Sequence, residues 1–363
     1  MTAHCNGNAY KSLPKMEFGG VLDKELAKIE AQGPNILVQY LIESAPKYLN
    51  IDRNDSNKND LHLRFAKEIR VVLGTFTDEM NTQPDYVEAM GKCNHSELHV
   101  KTHHCGEYDV KVLVHEPKVL AGTASRRSLI WAHGGGVCAG SAKGLQGFLS
   151  RLAVHCNLVV YNVEYRLSPE VKCPNNIKDF YSCLKYVYSN AQKLGLDATR
   201  ISIGGESGGG YICFGTMVLL AQNQLSHIVK LAVPVCPMVD DYSFTTDPLS
   251  MTSEERDSYL TMRAMWEMIA VDMEKQKQDP LLFPAKAKDE LLASMPNTAI
   301  FTNEFDMFIT ETFRVAQRLK RANRLVEFVS IPGTKHASCI HYPALRAASA
   351  EMDAYRMVFE KYL

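Results

Sequence analysis

Residues 202–211 read Ser202-Ile203-Gly204-Gly205-Glu206-Ser207-Gly208-Gly209-Gly210-Tyr211. One serine stands among five glycines, after a β-like run, "RISIG", and before an apolar helix-like run, "YICFGTMVLL". Ordering a glycine costs more backbone entropy than ordering any other residue, so flexibility does not account for the cluster. Gly205 and Gly209 flank Ser207 in the pattern G-x-S-x-G. A strand that turns sharply into a helix lifts the serine oxygen above a sheet. Glycines two before and two after remove the side chains that would collide there, and the helix aims its free N–H groups at developing negative charge. Ser207 is therefore the candidate nucleophile. A phosphate loop would end in Gly-Lys-Ser/Thr, and a dinucleotide fingerprint would open the first βαβ unit; this turn does neither.

Working outward, strands and helices alternate on both sides of the turn. "SLIWAHGG" (128–135) predicts a strand, "GLQGFLSRLAVHC" a helix and "NLVVYNVEYRL" a strand; "NNIKDFYSCLKYVYSNAQKLG" is a helix stopped by Gly195. Beyond the serine come strands at "VKLAVPVCPM", "TAIFTNEFD" and "LVEFVSIPG", a helix at "ETFRVAQRLKRAN" and a last helix through 344–361. Such alternation predicts an α/β fold with a mostly parallel sheet covered on both faces. Upstream, 96–116 alternates about Gly106 as an antiparallel hairpin, and 33–49 has helical spacing. A Met-rich amphipathic stretch, "EERDSYLTMRAMWEMIAVDM", interrupts the alternation and predicts a helical insertion over 246–284, forming a lid with the N-terminal helix; its methionines fit either an adaptable apolar pocket, with Trp266, or ordinary core filling. The expected organisation is 1–60 as N-terminal cap helices, 85–245 and 285–363 as two parts of one catalytic domain, and 246–284 as a cap insertion.

Composition narrows the partners. Of 363 residues 46% are hydrophobic, which excludes general disorder, and a net charge of -1 gives no pull toward nucleic acid. The N-terminus has no apolar core of a signal peptide, and the longest apolar runs fall short of a membrane span. A cytoplasmic protein without stable membrane insertion is the expectation. The ten cysteines are scattered, unlike a small disulfide scaffold. Two glycosylation sequons, at Asn54 and Asn94, matter only after secretion.

A second glycine cluster, His133-Gly134-Gly135-Gly136, follows the strand ending at Ala132. Glycines there expose backbone N–H groups to a substrate carbonyl, with His133 orienting the loop. Together with Tyr165-Arg166-Leu167-Ser168-Pro169-Glu170 and Gly205-Glu206-Ser207-Gly208-Gly209, these motifs resemble the hormone-sensitive-lipase-like (type IV) esterases of the α/β-hydrolase family, which include arylacetamide deacetylases. The resemblance covers roughly residues 95–345 and implies an eight-stranded sheet with a helical cap. It also implies Asp306 as the triad acid, in a block where Glu304 and Glu311 are the neighbouring carboxylates. The histidine of the family's Gly-x-x-His is His336, after Gly333; His341 is the alternative, better suited to a structural or substrate-side place.

The chemistry implied is that of a serine carboxylesterase on short- to medium-chain acyl esters. His336 would take the proton of Ser207, Asp306 would fix the imidazole's tautomer, and N–H groups of Gly134, Gly135 and Gly208 would form the oxyanion hole. No cofactor or metal is required. Cys93, His95, His99, His103, His104 and Cys105 crowd one region, but without the spacing of a standard zinc site. Four departures stand against the family pattern: Glu206 for Asp, Gly208 for Ala, Ser168 for Ala, and Ala337-Ser338 after the histidine for Gly-Phe. Amidases, lactone or carbamate hydrolases and dehydratases share the scaffold, as do hormone receptors that have lost the histidine. Some relatives pair through the sheet edge as homodimers, and nothing in this sequence decides that.

Overall fold

Strand β3 (Arg126–Ala132) shows how the sheet divides the core: Leu129 and Trp131 enter one apolar layer, Ile130 and Ala132 the other. That period-two alternation, buried on both faces, is what a sheet sandwiched between helices requires. The computed structural model describes residues 21–31, 57–119, 126–241 and 253–363. The helix expected over 33–49, most of the 1–60 cap, the Asn54 sequon and the start of the 246–284 insertion lie outside the described residues.

The other strands are β1 (Cys93–Thr102), β2 (Tyr108–Pro117), β4 (Val159–Val163), β5 (Leu196–Glu206), β6 (Leu231–Val235), β7 (Thr298–Phe305) and β8 (Leu325–Lys335). They form one 8-stranded sheet in the order β1-β2-β4-β3-β5-β6-β7-β8. β1 and β2 are the expected hairpin; β2 runs antiparallel to both β1 and β4, and the remaining pairs are parallel.

The helices that position the site are α1 (Lys24–Glu30), α2 (Lys58–Asn81), α3 (Pro84–Gly91), α4 (Gln146–Cys156), α5 (Asn175–Ser189), α6 (Gly208–Gln222), α7 (Ser253–Ile269), α8 (Ile309–Arg321) and α9 (Arg346–Tyr362). Helix α6 is buried from Gly208 through Ala221, as a helix apolar all round must be. No element is predicted for 61–84, yet α2 fills that span. Its buried residues Phe65, Ile69, Leu73, Phe76 and Met80 recur at helical spacing and pack with Met265 and Met268 of α7 or line the cavity below. Among the described residues no helix is long and apolar enough to cross a membrane.

Register carries the fold to function. β5, β6, β7 and β8 are parallel neighbours, paired Glu206 with Val235, Val235 with Phe301, and Phe305 with Lys335. Their C-terminal ends therefore meet at one edge. The residues that follow them directly are Ser207, Cys236, Asp306 and His336.

Candidate active site

Ser207 holds φ 56 and ψ −118, a conformation side chains other than glycine rarely adopt, and it is the N-cap of α6. The turn is closed by backbone: Ser207 N–H donates to Val235 O at 2.9 Å, and Met238 N–H to Ser207 O at 3.2 Å. Gly209 has no room for a side chain, since a Cβ there would meet Ala132 O. The strained turn is thus enforced from both sides, and the hydroxyl is left facing a cavity.

Asp306, Ser207 and His336 come together. His336 Nε2 lies 2.9 Å from Ser207 Oγ, and Nδ1 lies 2.8 Å from Asp306 Oδ2. The second oxygen of Asp306 accepts the Phe308 N–H at 2.8 Å, and the Phe308 ring stands edge-on to the imidazole at 5.2 Å. Burial pulls the His336 pKa down, but the charge of Asp306 outweighs it and holds the imidazole well above its ordinary value. A carboxylate on Nδ1 leaves Nε2 as the acceptor facing the hydroxyl, the arrangement that proton transfer from serine needs. The other carboxylates have different work. Glu304 accepts the Gly333 N–H at 2.8 Å, and Glu311, fully buried, accepts the Val239 N–H at 3.0 Å.

The glycine loop requires a correction. Gly134 is expected as an oxyanion donor, but its N–H donates to Glu206 Oε1. The buried Glu206 carboxyl also accepts the Trp131 indole N–H at 2.6 Å, so the longer acid reaches across to anchor the loop. Burial pushes Glu206 up to about 8 against the pull of these donors. Gly135 and Gly136 take φ 104 and 59, and among the described residues no acceptor is bonded to their N–H groups or to that of Gly208. A Cβ on Gly208 would stand 2.8 Å from Gly136 N, so the loop approaches too closely for the Ala that the family carries there. His133 is structural, stacked 4.3 Å from Tyr165, whose hydroxyl donates to His133 O at 2.7 Å.

A cavity of about 170 Å³ opens beside Ser207. Its walls include Ile69, Leu73 and Met80 of α2, Met262 and Met265 of α7, and Met238. His341 also lines it, edge-on to Phe76, with burial holding its pKa down to about 4. Trp266 is not a wall of this cavity; it is fully buried against Tyr211 and Phe283. Arg70 ties α2 down: its guanidinium donates to both oxygens of Glu170 at 2.7 Å, to Cys138 O at 2.7 Å and to Ser168 O at 2.9 Å.

The histidine- and cysteine-rich segment is dispersed. His95 and His115 both meet Ser150 Oγ, at 3.1 and 3.2 Å, while His104 pairs with Asp179 at 3.0 Å. Among the described residues one group has its ligand atoms close enough to hold a metal: Cys236, Asp306 and His336. Glu206 is marked in the sequence only as a longer acid in place of Asp, and Arg70 and the walls on α2 are not anticipated from the motifs. The 3.6 spacing of 62–80 is the signal that could have found the walls on α2.

Comparison with known proteins agrees with this architecture. The family model described as the alpha/beta hydrolase fold matches residues 129–340. An arylesterase of Saccharolobus solfataricus is 28% identical over 213 residues, covering 56% of this chain and 66% of that protein. The carboxylesterase NlhH of Mycobacterium tuberculosis is 28% identical over 258 residues, 68% of this chain and 76% of that protein. The match to the arylesterase thus spans just under two thirds of its length. Among solved structures, a bacterial heroin esterase superposes with a TM-score of 0.74 at 25% identity, covering 94% of this chain and 98% of that one.

Proposed function

Because the chain belongs to the alpha/beta hydrolase fold family, we propose that it is a serine carboxylesterase acting on short- to medium-chain acyl esters. One observation carries the reading: the continuous hydrogen-bonded chain from Ser207 Oγ through His336 to Asp306, at 2.9 and 2.8 Å.

Ser207 Oγ attacks the acyl carbonyl while His336 Nε2 takes its proton. Asp306 holds the Nδ1–H tautomer and stabilises the imidazolium. The N–H groups of Gly135, Gly136 and Gly208 receive the oxyanion, and each such donor contributes roughly 3 kcal/mol to the transition state. The imidazolium then protonates the leaving alcohol. Water, activated by the same His336, releases the acid. The residues present complete this cycle without a metal or cofactor. The thioether-rich walls on α2 and α7, read as a cap, suit apolar acyl groups because methionine adapts to irregular shapes.

The test is hydrolysis of p-nitrophenyl esters from acetate to laurate by wild type and Ser207→Ala side by side. Turnover that depends on chain length and disappears in the variant is expected. Equal turnover in the variant would remove Ser207 from the mechanism, and a folded but inactive wild type would remove ester hydrolysis.

A further inference from the structure

Strand β6 places a thiol where the proposed mechanism has no use for one. Cys236 is fully buried and follows Val235 directly, between the ends of β5 and β7. One ligand atom from each of Cys236, Asp306 and His336 lies within 4.8 Å of the other two. Sulfur, imidazole nitrogen and carboxylate oxygen are the three donor types that zinc accepts, and the thiolate selects soft metals over magnesium or calcium.

We propose that this cluster is an inhibitory binding site for zinc and similar thiophilic divalent cations. Ligands around a tetrahedral zinc stand roughly 3.5 Å apart, so closure on the ion asks about an ångström of side-chain movement. Entry is past His336, whose side chain is 24% exposed and borders the cavity. The fourth position falls to water when the ion sits on Nδ1, beside Asp306, and to water or Ser207 Oγ when it sits on Nε2, which lies 2.9 Å from that oxygen.

The proton balance explains why the metal would inhibit. Binding breaks the Cys236 S–H bond and releases that proton to solvent, because thiolate is the ligand. A neutral imidazole keeps its single proton. If the metal takes the Nδ1 lone pair, the proton sits on Nε2, the tautomer that cannot accept from Ser207. If the metal takes Nε2, the lone pair itself is gone. Either way the nitrogen that should receive the serine proton is blocked. Cys236 supplies the soft ligand that turns a histidine–aspartate pair into a metal site.

The experiment uses the full chain and two probes. Cd²⁺ reports binding through its ultraviolet thiolate-to-metal charge-transfer band, and Zn²⁺ reports inhibition of p-nitrophenyl butyrate turnover against Mg²⁺ at equal ionic strength. The expected result is a saturable Cd²⁺ band and Zn²⁺ inhibition reversed by EDTA. In Cys236→Ala the band falls by one thiolate equivalent, and the Zn²⁺ concentration giving half inhibition rises by more than about tenfold, the loss that even an outer-shell partner can cause. Each variant is scaled to its own metal-free rate. Cys236→Ser, which keeps the size but is a poorer ligand, gives the same answer should the alanine variant fold badly. Zn²⁺ inhibition unchanged in the folded variants, an unchanged Cd²⁺ band, or no metal effect on wild type overturns the proposal. The Cd²⁺ band decides the site whether or not the protein turns over esters.

Discussion

Glu206 Oε1 accepts the backbone N–H of Gly134, and Oε2 of the same carboxyl accepts the Trp131 indole N–H at 2.6 Å. The residue beside Ser207 thereby pins the loop that carries Gly135 and Gly136. Ionised above its pKa of about 8, the carboxylate accepts at both oxygens, whereas a glutamine offers one acceptor and one NH₂, so one of the two donors would face another donor. Glu206→Gln should lower kcat by about 10- to 100-fold with little change in KM, because the loss falls on geometry met in the transition state. Steady-state kinetics on p-nitrophenyl butyrate checks this; an unchanged kcat would mean that the loop holds its place without the carboxyl.

The pH profile follows from the direction of the His336 shift. Its pKa is held well above the ordinary imidazole value, so the neutral base appears only as pH rises through that higher pKa. The ascending limb of kcat/KM should therefore lie above pH 6.5, the unshifted value. Asp306→Asn removes the charge that raises it, moves the limb to lower pH and costs up to about 10⁴ in kcat through the wrong tautomer. A limb that stays in place in the variant would contradict the assignment of Asp306.

Arg70 fastens α2 to the segment around Glu170 and to Cys138 O beside the glycine loop. Arg70→Ala should reduce stability by about 1–2 kcal/mol and raise KM more than it lowers kcat, since α2 supplies pocket walls. Arg70→Lys keeps the charge but not the fork and should recover only part of the loss. Thermal denaturation and KM measured together separate this from a general loss of folding.

Leu73 on α2 lines the cavity beside Ser207. Leu73→Trp should leave acetate turnover within a few-fold and lower the laurate-to-acetate ratio of kcat/KM by about tenfold or more, the scale on which pockets discriminate methylenes. An unchanged ratio would place the acyl chain elsewhere.

Most of the sheet and the turn at Ser207 were legible because each rests on local chemistry, whereas Asp306 and His336 were named through the family resemblance. Glycines mark the turn at 205–209, apolar runs mark the strands, and three of the residues that end up together each follow a predicted strand directly or nearly so. What the motifs could not show was which backbone groups are already engaged. Gly134 looks like a free donor in the sequence, and in the fold the Glu206 carboxyl takes its N–H. Trp266 sits in a Met-rich helix that does face the cavity at Met262 and Met265, but one position further round the helix turns its ring into the core. The periodicity of α2 was present in the sequence and concealed by the polar residues before it.

The central claim is that Ser207 is the nucleophile. Its most direct test is to treat the protein with an alkyl fluorophosphonate and locate the adduct by peptide mass spectrometry. One phosphonyl group on the peptide containing Ser207, absent in Ser207→Ala and diminished in His336→Ala, is the result predicted. An unlabelled wild type, or equal labelling of the Ser207→Ala variant at another residue, would contradict it.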